Sequence, residues 1–266
     1  MKKIKLIILI ISAIILCFIL KLLLPFLENS NFFYNAKYNL TIYLSYVPQS
    51  ICLLFIILIT YKFSLFKILK SLPKATNLNI LHITYLYIFS LEFYVFYIAL
   101  LLFVEIFLQG NYKILNYEFP TLIYKDFVVL SHTIIIIPFL STLFFYHIIL
   151  NNLTQFYSFI KSMVITLLIL ILFHIDPEHT IFEFTFISII LSYIYVKLGF
   201  WNSFLFYVFL NFNSVYVTKY IFSILKNLTL EFNVYVILII LIISITLLAY
   251  TFLKILSVYN LKGKIE

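Results

Sequence analysis

Long apolar runs set the rhythm of this chain, and short polar intervals separate them. Runs of about eighteen residues or more recur along it, and each can cross about 30 Å of hydrocarbon as a helix. The pattern predicts eight spans, at 4–26, 41–60, 81–109, 127–150, 162–176, 180–197, 200–222 and 233–257. The fold class expected is therefore all-α, a polytopic transmembrane helical bundle. Pro25, Pro48, Pro120, Pro138 and Pro177 fall near span ends or mark kinks. The third span is long enough to tilt. The fifth and sixth are short enough to form one broken unit inside the bundle.

The opening MKKIK has the basic start of a signal peptide. The apolar stretch behind it continues to Phe26, contains Lys21 and lacks a small-x-small cleavage pattern, so an uncleaved first span is expected. No interval between spans is long enough to fold as a soluble domain.

Composition supports this reading. Of 266 residues, 65% are hydrophobic and only 11% charged, too few to cover a soluble domain of this length. The net charge of +8 comes from lysine alone, with no arginine. That bias, with the surplus of Ile, Asn, Phe and Tyr, is the composition of an AT-rich, bacterial genome. No basic patch is interleaved with exposed aromatics, so the charge points to membrane orientation and not to nucleic acid. Cys17 and Cys52 both sit in apolar runs and form neither a disulfide framework nor a metal-ligand spacing.

Polar residues inside the spans are the candidates for function, because each is costly in lipid unless paired or facing a cavity. They are Glu92 and Glu105 in the third span, and His132, Ser141, Thr142, Tyr146 and His147 in the fourth. His174 and Asp176 close the fifth, and Glu183 lies in the sixth. Asn202, Ser203, Tyr207, Asn211 and Asn213 lie in the seventh. Each also has a plain structural reading. Ser141 and Thr142 are ordinary helix-packing residues, and Asn211 can hydrogen-bond a neighbouring helix. His174 is either an interfacial polar group or lines a cavity. Asp176, Glu178 and His179 read as a solvated turn, with a divalent-metal site as the alternative. Glu92 is either a proton or cation relay or pairs with another helix.

Three segments carry a resemblance: 138-PFLSTLFFYHIIL-150, 165-ITLLILILFHI-175 and 189-IILSYIYVKLGFWNSFLFYVFLNFNSV-215. Together they resemble the CAAX protease and bacteriocin-processing (CPBP) family of intramembrane proteases. That family carries E-E-x-x-x-R on one helix, F-x-x-x-H on the next and H-x-x-x-N on a later one. A Gly-aromatic turn leads into its Trp-containing helix start. The resemblance covers about residues 130–215, dividing the chain into N-terminal helices at 1–126, a CPBP-like core at 127–222 and a C-terminal helix with a short tail at 223–266.

Matched residue by residue, the paired glutamates fall on Ser141 and Thr142 and the arginine on Tyr146. Leu170 stands for the phenylalanine, while His174 is retained. Tyr207 stands for the second histidine, and Asn211 keeps its i+4 place. His174 and Asn211 are thus the surviving family positions. A hydroxyl is no general base near neutral pH, and a catalytic zinc site normally needs three protein ligands. The expectation is a protein without proteolytic activity, bound metal or cofactor. It would bind a membrane protein or peptide in the inherited cavity, in bacteriocin immunity or envelope regulation. An active CAAX-type metalloprotease with atypical residues is the alternative, and a transporter or permease subunit built around Glu92 and Glu105 is the second. Against transport, no inverted repeat of Gly/Pro-broken segments is visible.

Lysine placement orients the chain, since cytoplasmic loops are enriched in positive charge. With the N-terminus inside, Lys2, Lys3, Lys5, Lys62, Lys67, Lys70, Lys74, Lys161, Lys197, Lys254, Lys262 and Lys264 fall on the inner side. Lys21, Lys37, Lys113, Lys125, Lys219 and Lys226 fall outside. Both termini are therefore expected in the cytoplasm of a multi-pass cell-membrane protein. Reporter fusions after Lys264 and within 62–74 should report the inside, and one within 113–125 the outside. An outside signal after Lys264 would sink this topology.

Overall fold

The computed structural model describes residues 7–12, 14–16, 18–19, 39–62, 65–72, 80–109, 130–173, 180–232 and 234–262. Among them 94% are helical and none lies in a strand. The elements are α1 (Asn39–Thr60), α2 (Leu65–Ser71), α3 (Ile80–Gln109), α4 (His132–Leu153), α5 (Phe159–Phe173), α6 (Thr180–Leu198), α7 (Phe200–Tyr216), α8 (Thr218–Phe232) and α9 (Val234–Lys262).

The all-α expectation holds, and several helices are apolar enough to span a membrane, but eight spans are not supported. Among the described residues three helices are both long and apolar enough to cross: Ile80–Val104, His132–Leu153 and Tyr235–Val258. A fourth is gained if Phe200–Tyr216 and Tyr220–Leu228, bent by 62°, count as one span. For α5 the physical reason is length. A helix rises about 1.5 Å per residue, so the 15 residues of α5 reach only about 22 Å, short of the hydrocarbon thickness. An apolar run in sequence does not disclose where its helix breaks. The expected span at 200–222 breaks at Val217. There the Val217 amide and the Thr218 hydroxyl both donate to the Asn213 carbonyl, at 2.8 and 3.1 Å. Of the first expected span, Ile7–Leu16 is a short apolar helix.

The chain forms two compact units, Met1–Lys74 with Tyr124–Phe204, and Ala75–Ile123 with Leu205–Glu266. In the first, α4 is the central helix. Its spanning window is 72% buried, against 22% for α9, and a helix apolar all round belongs in an interior. It packs against α1, α5 and α6, and α5 packs on α6. Its backbone is irregular, with π-helical turns at His132–Ile136 and Thr142–Leu150 and an α-helical turn at Ile137–Ser141 between them. Pro138 sits at that junction, where its missing N–H interrupts the ladder.

In the second unit α3 packs along α9 and α8. The buried positions of α9 are Ile237, Leu241, Ser244, Thr251 and Ile255. They repeat at spacings of three, four and seven, a narrow seam that leaves the other faces exposed.

Between α6 and α7 the chain turns at Gly199, whose φ of +88° is a left-handed conformation that side chains resist. Its amide donates to the Tyr195 carbonyl at 2.9 Å, closing α6. A Cβ there would meet no atom within 4 Å, so a substitution is opposed by conformation and not by crowding. Gly199→Ala should lower stability by about 1–2 kcal/mol, and Gly199→Asn by less, because asparagine tolerates this region. Unfolding in detergent measures both, and equal losses would show that φ is not the cause.

Candidate functional site

The three matched positions on α4 lie at its most enclosed part. Ser141, Thr142 and Tyr146 are 1%, 0% and 0% exposed. The hydroxyls of Ser141 and Thr142 are buried without a hydrogen-bond partner. The π-helical run Thr142–Leu150 is buried at every position but His147, so these side chains meet other helices and not lipid. Two features of α6 were not singled out by sequence reasoning. The Ser188 and Ser192 hydroxyls are also buried without a partner. With Tyr195 they follow one face of α6 at i, i+4 and i+7, a spacing visible in the sequence.

Tyr195 is where α6 meets α4. Its hydroxyl and His147 Nδ1 share a hydrogen bond of 3.0 Å, and its ring lies against Tyr146 with centroids 6.4 Å apart. Phe200 packs edge-on to the His147 ring at 6.0 Å. Below them Phe144 and Phe145 close on Phe173, at 5.6 and 5.4 Å. Phe173 directly precedes His174. His174, Asp176, Glu178 and His179 themselves lie outside the described residues, as do the side chains of Glu105 and Glu183.

The other retained position, Asn211, sits one turn from Tyr207 on α7, in the second unit. Tyr207 is buried and Asn211 half-buried. The expected core at 127–222 thus contributes to both units. Nearby, Asn213 Nδ2 donates to Ser90 Oγ at 2.7 Å, joining α7 to α3.

Glu92 is also tied to another helix. Thr251 Oγ1 on α9 donates to Glu92 Oε1 at 2.9 Å, while Oε2 is buried without a partner. The interhelical pairing weighed for Glu92 is the one observed.

Chemically, Ser141, Thr142 and Tyr146 offer hydroxyls and no carboxylate, so they supply no general base at neutral pH. Among the described residues no three of His, Cys, Asp and Glu lie close enough together to hold a metal ion.

No family model, curated protein or solved structure matches this chain. The CPBP resemblance therefore stands on motif spacing alone.

The His147–Tyr195 bond gives a measurable expectation. Tyr195→Phe keeps the ring against Tyr146 but leaves the half-buried imidazole nitrogen without this partner, which costs about 1 kcal/mol. Unfolding in detergent should show that loss for Tyr195→Phe. A similar loss in a His147→Phe background would show that the pair does not interact.

Proposed function

We propose that this chain is a multi-pass cell-membrane protein, a degenerate relative of the CPBP proteases that holds a membrane protein or peptide and does not cleave it. Bacteriocin immunity and envelope regulation are the roles that fit. The observation that carries the reading is the burial of Ser141 and Thr142 in α4. The general base of a CPBP-like protease would stand there, and the chain offers two hydroxyls in the most enclosed part of that helix. Water activation needs a proton acceptor in contact with water. Tyr146, at the position of the family's arginine, cannot supply a fixed positive charge.

His174 would then be a remnant. A lone imidazole orients water or holds a metal only with partners that complete its shell, and no such partner stands at the matched positions.

The test is cleavage of membrane-anchored peptides by the chain purified in detergent. Losing a general base alone removes about 10²–10⁴-fold of rate, so no turnover above background is expected, and His174→Ala should leave cellular phenotypes intact. Reproducible cleavage that disappears in His174→Ala would replace this reading by that of an atypical protease.

A further inference from the structure

A cleft of about 580 Å³ opens in the first unit where α4 ends, α5 begins and α6 turns into α7. Its walls include Asn151, Thr154 and Ser158 on one side and Tyr195, Gly199 and Phe200 on the other. We infer that this cleft binds the phosphate-bearing headgroup of an anionic lipid, with the acyl chains lying along the outer face of α5.

Charge is the first argument. Lys161 lies one turn beyond Ser158, and Lys197 directly follows Val196, another residue of the wall. Both lysines are exposed, and neither has an acidic partner among the described residues. No acidic residue occurs between Phe127 and Phe173 or between Phe184 and Leu230. The positive charge around the cleft is therefore uncompensated by those segments, and an anion would meet no repulsion from them.

Chemistry of the wall is the second. Asn151 and Ser158 supply donors suited to phosphate oxygens, while the Thr154 hydroxyl already donates to the Asn151 carbonyl at 2.9 Å. The aromatic residues Tyr157, Phe159, Tyr195 and Phe200 suit the headgroup level of a bilayer. Gly199 leaves its part of the wall without a side chain.

The third argument separates a lipid from free phosphate. Ile160, Val164, Leu168 and Leu172 are 68%, 45%, 56% and 47% exposed. They recur every four residues and form one apolar stripe running along α5 from the cleft. A cleft that carries polar groups at its rim and leads into an apolar stripe matches the two halves of a phospholipid. The inference rests on the membrane placement proposed above but not on the loss of proteolysis.

Trp201 is the chain's single tryptophan, and it adjoins Phe200 in the wall. Its fluorescence, quenched by brominated lipid, can therefore read occupancy in the purified full chain. Each lysine near an anionic surface adds about fivefold, so the pair should favour phosphatidylglycerol over phosphatidylcholine by about thirtyfold. Lys161→Gln with Lys197→Gln should remove most of that preference. The double arginine variant should keep it, and Lys226→Gln in the second unit should leave it unchanged. Millimolar inorganic phosphate should not compete. Competition by phosphate, equal quenching by both lipids, or an unaltered preference in the double glutamine variant would each overturn the assignment. Carbonate extraction separates the two levels. Release of the chain into the soluble fraction would overturn the membrane placement, whereas retention without lipid preference would overturn only the cleft.

Discussion

A polar side chain inside an apolar helix has no water to bond, so its partner must come from the bundle or from its own backbone. That constraint organises both units. Thr251 answers Glu92 and Ser90 answers Asn213, tying α3 to α9 and to α7. In the first unit Tyr195 answers His147 across α4 and α6. Between helices in lipid, apolar contact gives little net drive, because acyl chains are as apolar as leucine. Close packing and these few bonds must therefore set which faces meet. Each bond is modest, on the order of 1 kcal/mol, but each can form in one register only.

The same constraint explains the character of α4. Several serines and threonines elsewhere among the described residues return their protons to their own helix. Thr166 donates to the Ser162 carbonyl at 2.8 Å, and Thr60 to that of Ile56 at 2.8 Å. Ser141 and Thr142 do not. Ser141 adjoins and Thr142 opens the π-helical run Thr142–Leu150, and π-helical turns are frequent at functional sites. An inherited binding position whose carboxylates have become hydroxyls would leave this combination: an irregular backbone retained for packing, with polar groups too weak for acid–base work.

How much was legible follows from what hydropathy measures. It located the apolar segments and the all-α class, because burial in lipid depends on composition over a window. It did not locate the helix ends. At the break by Val217 the Thr218 hydroxyl adds a second donor to the Asn213 carbonyl, and the mean hydropathy of 200–222 does not signal it. Gly199 was legible, since a glycine between two apolar runs marks a left-handed turn. Of the site, the burial of Ser141 and Thr142 followed from their place in a continuous apolar segment. The His147–Tyr195 bond did not, because its partners stand 48 positions apart and sequence spacing carries no information on which helices touch. Glu92 was conspicuous as a carboxylate in mid-span, yet its partner Thr251 was not, since exposed threonines such as Thr246 on the same helix look identical in sequence.

The two faces of α5 show how one short helix can serve two solvents. Ser162, Thr166, Ile169, Leu170 and Phe173 point into the protein, and the two hydroxyls among them bond to their own helix, so that α6 can approach closely without an unmet donor. The opposite stripe carries only aliphatic side chains, which need nothing but hydrocarbon. In a bilayer a helix of about 22 Å would be too short to span alone, and its first turn would lie near the polar boundary with its apolar stripe in the core. A helix that ended further out would place Ser158 and Lys161 in bulk water, where a phosphate competes with solvent for every donor. On the lipid reading of the cleft, the shortness of α5 that removed it from the count of spans would also bring the cleft to headgroup depth.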